Sequence, residues 1–198
     1  MTGAASALGE RQTDDSGPAS AIAAPMRALT LVADRKIELL QVAPPALPGK
    51  GEAQIAIKAI GLNHIDVWGW RGMAFAKRKL PLVVGAEAAG EVVAVGPDVE
   101  TLKVGDRVVA YGALTCGICK ACREGRDNFC ENVGGVLGFH VDGFARDLIN
   151  MPTRLLIPIP AGVSFRDAAC APIAFATTRI EQPLRASAVS FSLLAETL

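Results

Sequence analysis

Four of the chain's five cysteines fall within fifteen residues, as Cys116-x2-Cys119-x2-Cys122-x7-Cys130. No other feature restricts the fold as strongly. Tetrahedral zinc needs four soft donors at about 2.3 Å, and short C-x2-C loops bring thiolates to that distance. Ligands drawn from one short segment tie a local knot, so residues 115–132 are expected to form a lobe pinned by its own sulfurs. Four thiolates on a dication leave surplus negative charge, which Lys120, Arg123 and Arg126 within the loop are placed to offset. A closed thiolate shell has no open position for water, so the expected role of the metal is structural. Disulfides compete with this reading, but they rarely persist in a reducing cytosol, and cysteines this close in sequence bridge poorly. An iron–sulfur cluster also takes four cysteines and stands as the remaining alternative. Cys170, flanked by alanines, reads as a small buried helix residue rather than a reactive thiol.

Composition narrows the partners. The 198 residues are 51% hydrophobic and 20% charged with zero formal net charge, which fits one sizeable globular domain with room for part of a second. Phosphate backbones demand a basic surface, so nucleic acid is not expected as a partner. No apolar run approaches the ~20 residues of a membrane span. The stretch 1–25 is rich in Ala, Ser and Gly, carries Glu10, Asp14 and Asp15, and has no basic start or compact apolar core. It reads as a disordered tail and not a secretory signal, which points to a cytoplasmic protein. Ordered patterning starts at Met26, which makes Met26 an alternative start site.

From Met26 onward, short apolar runs alternate with turn signals. Strands are expected at Ala28–Ala33, Ala53–Ile60, Gly90–Val95 and Arg107–Tyr111, separated by Pro44-Pro45, Pro48-Gly49, Gly96-Pro97 and Gly105-Asp106. Regularly spaced strands favour a closed or partly closed barrel, so the fold class is mainly β with short helices. One helix is expected over Asn63–Trp70, and another after Ser164 with Asp167 in its first turn. The run Gly85-Ala-Glu-Ala-Ala-Gly90 has the wrong spacing for a dinucleotide loop and leads into a strand, so no phosphate-binding fingerprint is assigned.

The cysteine spacing resembles the structural-zinc lobe of the zinc-containing medium-chain dehydrogenases. Gly85-Ala-Glu-Ala-Ala-Gly90, Val92-Val-Ala-Val-Gly96, Val104-Gly-Asp-Arg-Val108, Gly143-Phe-Ala145 and Ile157-Pro-Ile-Pro160 follow in the same order as in that family. The resemblance spans about Met26 to Thr178. It implies a GroES-like partial β-barrel with a structural-zinc lobe, forming the substrate side of a cleft whose other side is a Rossmann domain holding NAD or NADP. It also implies a small-molecule alcohol, carbonyl or quinone as substrate.

The chain departs from the resemblance where the catalytic zinc would sit. Asn63 stands in place of the ligating Cys, Ile65 in place of the proton-relaying hydroxyl residue, Ala86 in place of the ligating His, and Ile173 at the last ligand position. Glu87 alone survives, and one carboxylate cannot hold catalytic zinc, which usually takes three protein ligands. The same changes resemble the zinc-free quinone oxidoreductases, which place Asn and Asp where this chain has Asn63 and Asp66. Asn63, Asp66 and Glu87 are therefore the candidate catalytic residues, with Asn63 either a donor to a substrate carbonyl or simply a helix cap. His64 is the candidate cofactor-phosphate contact, or merely an exposed residue at a helix start. His140 is expected to order a loop, and Trp68 and Trp70 to pack or to line the cleft.

Residues 179–198 resemble no continuation of that family and contain no glycine. They read as an atypical tail standing in place of a Rossmann domain, which makes a truncated reductase the leading expectation. The alternative is a non-catalytic, zinc-stapled interaction module that binds a protein partner or a second copy through an uncovered interface.

Overall fold

The computed structural model describes residues 24–73 and 78–175. The expectations for residues 1–23 and 179–198 lie outside the described residues. Strand β1 (Met26–Ala33) pairs antiparallel with β2 (Lys36–Val42) through a tight turn in which Arg35 takes a positive φ of 63°. Strand β3 (Glu52–Gly61) leads through Asn63 into helix α1 (His64–Trp70). Two-residue β4 (Leu82–Val83) joins the other edge of β1, completing a three-stranded sheet in the order β2-β1-β4.

The second sheet holds β5 (Glu87–Val95), β6 (Arg107–Ala110), β7 (Leu148–Pro152) and β8 (Leu156–Pro158) with β3, in the order β7-β3-β5-β6-β8. All its pairings are antiparallel. The segment leading into β7 joins the sheets: Leu29 N–H donates to Ala145 O at 2.8 Å and Asp147 N–H to Arg27 O at 3.3 Å on one side, while Ile57 N–H of β3 donates to Asp147 O at 3.0 Å on the other. The sheets do not close on each other, and the result is the partial barrel that the resemblance implied, one of the two forms the strand spacing left open.

Burial explains the curvature. Ile55, Val92, Val108, Phe144, Met151 and Leu155 are all at most 1% exposed and meet in one core on a single face of the five-stranded sheet, closed over by loop residues such as Leu102 and Leu137. Each such side chain contributes roughly 1.5–3 kcal/mol by leaving water. A smaller cluster of Val109, Ile159, Ala168 and Ala169 seats helix α3 (Phe165–Ala169) on the opposite face of the β3-β5-β6 strands. Ser164 caps α3, its Oγ accepting from Asp167 N–H at 3.1 Å, and a π-helical turn, Ala171–Phe175, follows.

The strand starting at Gly90 was expected too late. β5 begins at Glu87, although alanine and glycine are poor strand formers. Their smallness is what the pairing uses: a Cβ on Gly90 would lie 2.4 Å from Ala56 O across the ladder. Strands β2, β4, β7 and β8 were not anticipated: β4 is only two residues long, and β7 alternates in burial but spans five residues and ends in proline.

Candidate functional site

The cysteine lobe leaves the barrel after β6 and is built from two short turns. Helix α2 (Lys120–Arg123) starts immediately after Cys119 and carries Cys122. The 3-10 turn Asp127–Phe129 then returns the chain to Cys130. Gly117, at φ 72°, lies against the Arg154 side chain, whose guanidinium donates to Thr115 O, so one arginine moors the lobe to the barrel. Arg126 pairs with Glu124 at the rim.

The four Sγ atoms all lie within 4.8 Å of one another, and Cys116 and Cys122 are 3.9 Å apart. A zinc ion with sulfurs at 2.3 Å requires tetrahedral edges of about 3.8 Å, so the set fits a single ion with little movement. The separation is far beyond the ~2.05 Å of a disulfide, and all five cysteines are free thiols. Backbone N–H groups also point at sulfur: Cys119 N–H donates to Cys116 Sγ and Cys116 N–H to Cys130 Sγ, both at 3.3 Å. Backbone amides of Ile118 and Cys119 pull the Cys116 thiol down to about 6, while burial and the neighbouring thiols push Cys122 up. The bare cluster thus holds protons unevenly. Cys116, Cys119, Cys122 and Cys130 would hold a dication, which would displace those protons and leave all four sulfurs as thiolates.

A second convergence lies at the start of β5, the end of the sheet where Ala88 pairs with Ala110, the last residue of β6 before the lobe departs. Glu87, only 1% exposed, begins that strand. Its Oε1 accepts from Asn63 Nδ2 at 2.7 Å and its Oε2 from Ile173 N–H, also at 2.7 Å. Gly61 makes the room, because a Cβ there would come 2.3 Å from Glu87 Oε1. Asn63 is the N-cap of α1 and its N–H donates to Asp66 Oδ2 at 2.9 Å. The Asn63 side chain in turn faces the Asp66 N–H in the capping-box arrangement, without forming a full side-chain cap hydrogen bond. Asp66 Oδ1 is buried without a partner. Burial raises the Asp66 carboxyl above its ordinary range against the pull of the Asn63, Gly85 and Ala86 amides.

The structure therefore brings Asn63, Asp66, Glu87 and Ile173 together from three separated segments. Their donor set does not suit a catalytic zinc. Both Glu87 oxygens face donors, and Ala86 and Ile173 offer no ligand side chain. Among the described residues, the cysteine quartet is the one His/Cys/Asp/Glu group placed to hold an ion.

The other candidates sit apart from this convergence. His64 is exposed at the start of α1, its ring 6.3 Å from that of Trp68. His140 Nδ1 accepts from Val136 N–H at 3.0 Å and so braces a loop. Cys170 ends α3 with its thiol pushed up by burial and by the nearby Glu87 and Asp167 charges, which disfavours a thiolate. Sequence reasoning missed the Ile173 amide and Gly61. A backbone donor leaves no residue-type signal, and a single glycine leaves only a weak one.

A partial barrel carrying a four-cysteine lobe is the architecture of the GroES-like domain of the medium-chain dehydrogenases/reductases. Residues 49–161 match the alcohol dehydrogenase GroES-like domain, more than half of the chain, and the chain belongs to that family. It is 37% identical over 142 residues to an L-threonine 3-dehydrogenase of Photorhabdus laumondii, covering 70% of this chain and 41% of that protein. Among solved structures it resembles an NAD-dependent alcohol dehydrogenase at 39% identity and TM-score 0.72, covering 78% of this chain and 45% of the other. A thermostable alcohol dehydrogenase from Pyrobaculum aerophilum superposes at TM-score 0.68 with 31% identity, covering 75% and 44%. The chain spans less than half the length of these relatives.

Proposed function

We propose that these residues form the substrate-binding side of an NAD(P)-dependent oxidoreductase that transfers hydride to or from a carbonyl, enone, quinone or alcohol without a catalytic metal. In this reading residues 26–178 are one domain, whose cysteine lobe holds a structural zinc ion that fixes the lobe's shape. The observation that carries it is the Asn63–Glu87–Ile173 hydrogen-bond set, which fills with neutral donors and one carboxylate the corner where a ligand set would otherwise stand. When hydride reaches a carbonyl carbon, negative charge gathers on its oxygen. A fixed N–H donor there stabilises that charge without metal chemistry. Asn63 supplies the donor and Asp66 holds the helix start that carries it.

His64, exposed at the same helix, is assigned to the cofactor phosphate. Among the described residues no glycine-rich loop joins a strand to a helix in the dinucleotide-binding pattern, so the nicotinamide is held by other residues. No helix among the described residues is long and apolar enough to cross a membrane, and a cytoplasmic location is part of the proposal.

Titration of purified, zinc-loaded chain with NADH and NADPH, followed by addition of a quinone, tests the reading. Saturable binding with turnover supports it for this chain alone. Binding of a ketone without binding of either nicotinamide supports a substrate half that needs a separate cofactor-binding part. Neither ligand binding defeats the reading. A second reading, a zinc-stapled interaction module, draws on Ile118, Phe129 and Val133, which the lobe exposes at 70%, 64% and 53%. Concentration-dependent association by sizing, abolished by Phe129→Ser, would favour it.

A further inference from the structure

We propose that Glu87 is a positioning residue that fixes the direction of the Asn63 side-chain amide, and so decides that this corner offers substrate a donor and not an acceptor. The proposal rests on the reading that Asn63 meets substrate. Its physical basis is the asymmetry of an amide: one end accepts hydrogen bonds and the other donates two. An ionised carboxylate accepts only. Glu87 Oε1 lies 2.7 Å from the Asn63 terminal atom, so that atom must be nitrogen, because an oxygen there would set two acceptors against each other.

The carboxylate itself cannot turn away. Its second oxygen is held by Ile173 N–H at 2.7 Å, the residue is 1% exposed, and its carboxylate lies in the space that a side chain on Gly61 would fill. With one Asn63 N–H committed to Glu87, the second is the hydrogen left for a ligand. Because both neighbours of Glu87 are donors, only a carboxylate satisfies them together. Glutamine would satisfy one and set its own NH2 group against the other.

The test uses the full, zinc-loaded, 15N-labelled chain and the Asn63 side-chain NH2 resonances, identified by their loss in Asn63→Asp. In the wild-type protein one of the two protons is expected well downfield and slow to exchange, as a charge-assisted hydrogen bond requires. In Glu87→Gln that proton is expected to return to the ordinary amide position and exchange roughly tenfold faster or more. The backbone amides of β3 should stay in place. An unmoved Asn63 pair in a folded Glu87→Gln protein overturns the proposal, as does a wild-type pair with no protected proton. If Glu87→Gln does not fold, Glu87→Asp keeps the charge but shortens the reach and must release Asn63 in the same way; no release overturns the proposal. Cyclohexanone then probes the underlying reading separately. A shift of the second Asn63 proton supports Asn63 as the substrate donor. Backbone shifts around the corner with that proton unmoved refute the donor role and leave the positioning role standing on the Glu87 variants.

Discussion

The cysteine lobe and the Glu87 corner solve the same problem in opposite ways. Each gathers negative charge into a partly or wholly buried place and must compensate it. The lobe draws its candidate ligands from one stretch, Cys116 to Cys130, placed so that a single ion would compensate them. The corner draws on residues near 61, 87 and 173 and compensates a single carboxylate with two hydrogen bonds from distant segments. A locally encoded site survives or fails by itself, moored by Arg154. The non-local site is a readout of whether the barrel has assembled.

The largest effect that separates them is metal removal. Structural zinc in small peptides binds with about 10–16 kcal/mol of apparent free energy. Chelation, or Cys122→Ser, is expected to take metal content from one ion to none and to strip hydrogen-exchange protection from residues 115–132. β3 and β5 should keep theirs. Elemental analysis with exchange mass spectrometry reads both, and simultaneous loss in the β3–β5 ladder would show that the regions are not independent. Next in size is Gly61→Ala, which drives a methyl group onto Glu87 Oε1 and is expected to cost about 2–3 kcal/mol in urea unfolding. Zinc stoichiometry should not change. A variant as stable as wild type would mean the Glu87 pose is loosely held.

What the sequence made legible follows the same division. The lobe could be read because ligand spacing is local: C-x2-C-x2-C fixes geometry within two turns, whatever the rest of the chain does. The helices at Asn63 and Ser164 could be read for the same reason, each announced by a capping residue. Within the corner, Asn63, Asp66 and Glu87 were singled out as residues, but their connection was not visible. Nothing in Gly61 says which carboxylate its missing side chain admits, and the Ile173 N–H belongs to a π-turn with no distinctive composition. Strands β2, β4, β7 and β8 escaped because all four are edge strands, and short or Pro-bounded edge strands owe their form to a neighbour's register.

A smaller perturbation sharpens the contrast from the other side of the fold. Ser164→Ala removes the α3 cap and is expected to cost about 1 kcal/mol. Since α3 runs directly into the turn that presents Ile173 N–H to Glu87, the Asn63 side-chain signal should broaden while the lobe's amides stay unchanged. Equal disturbance of both regions would break the division.

The smallest expected effect is a dependence on pH. Burial holds the Asp66 carboxyl above its unfolded value of 3.8. The native state therefore keeps this proton to higher pH than the unfolded chain does. The contribution to stability is fully present below the unfolded pKa and is lost as pH rises through the folded one. Asp147 runs the other way: the Arg27 backbone N–H and guanidinium lower it, so its contribution is present above the unfolded value and fades as pH falls. Asp66→Asn should therefore flatten the decline in stability above pH 4 while leaving the acid limb that Asp147 shapes. Its amide oxygen can still accept from Asn63 N–H, so the helix start is retained. Urea midpoints measured from pH 4 to 7 read the difference. A steeper decline in the variant would mean that the buried Oδ1 is stabilised as a carboxylate, and that the corner tolerates charge as well as the metal lobe does.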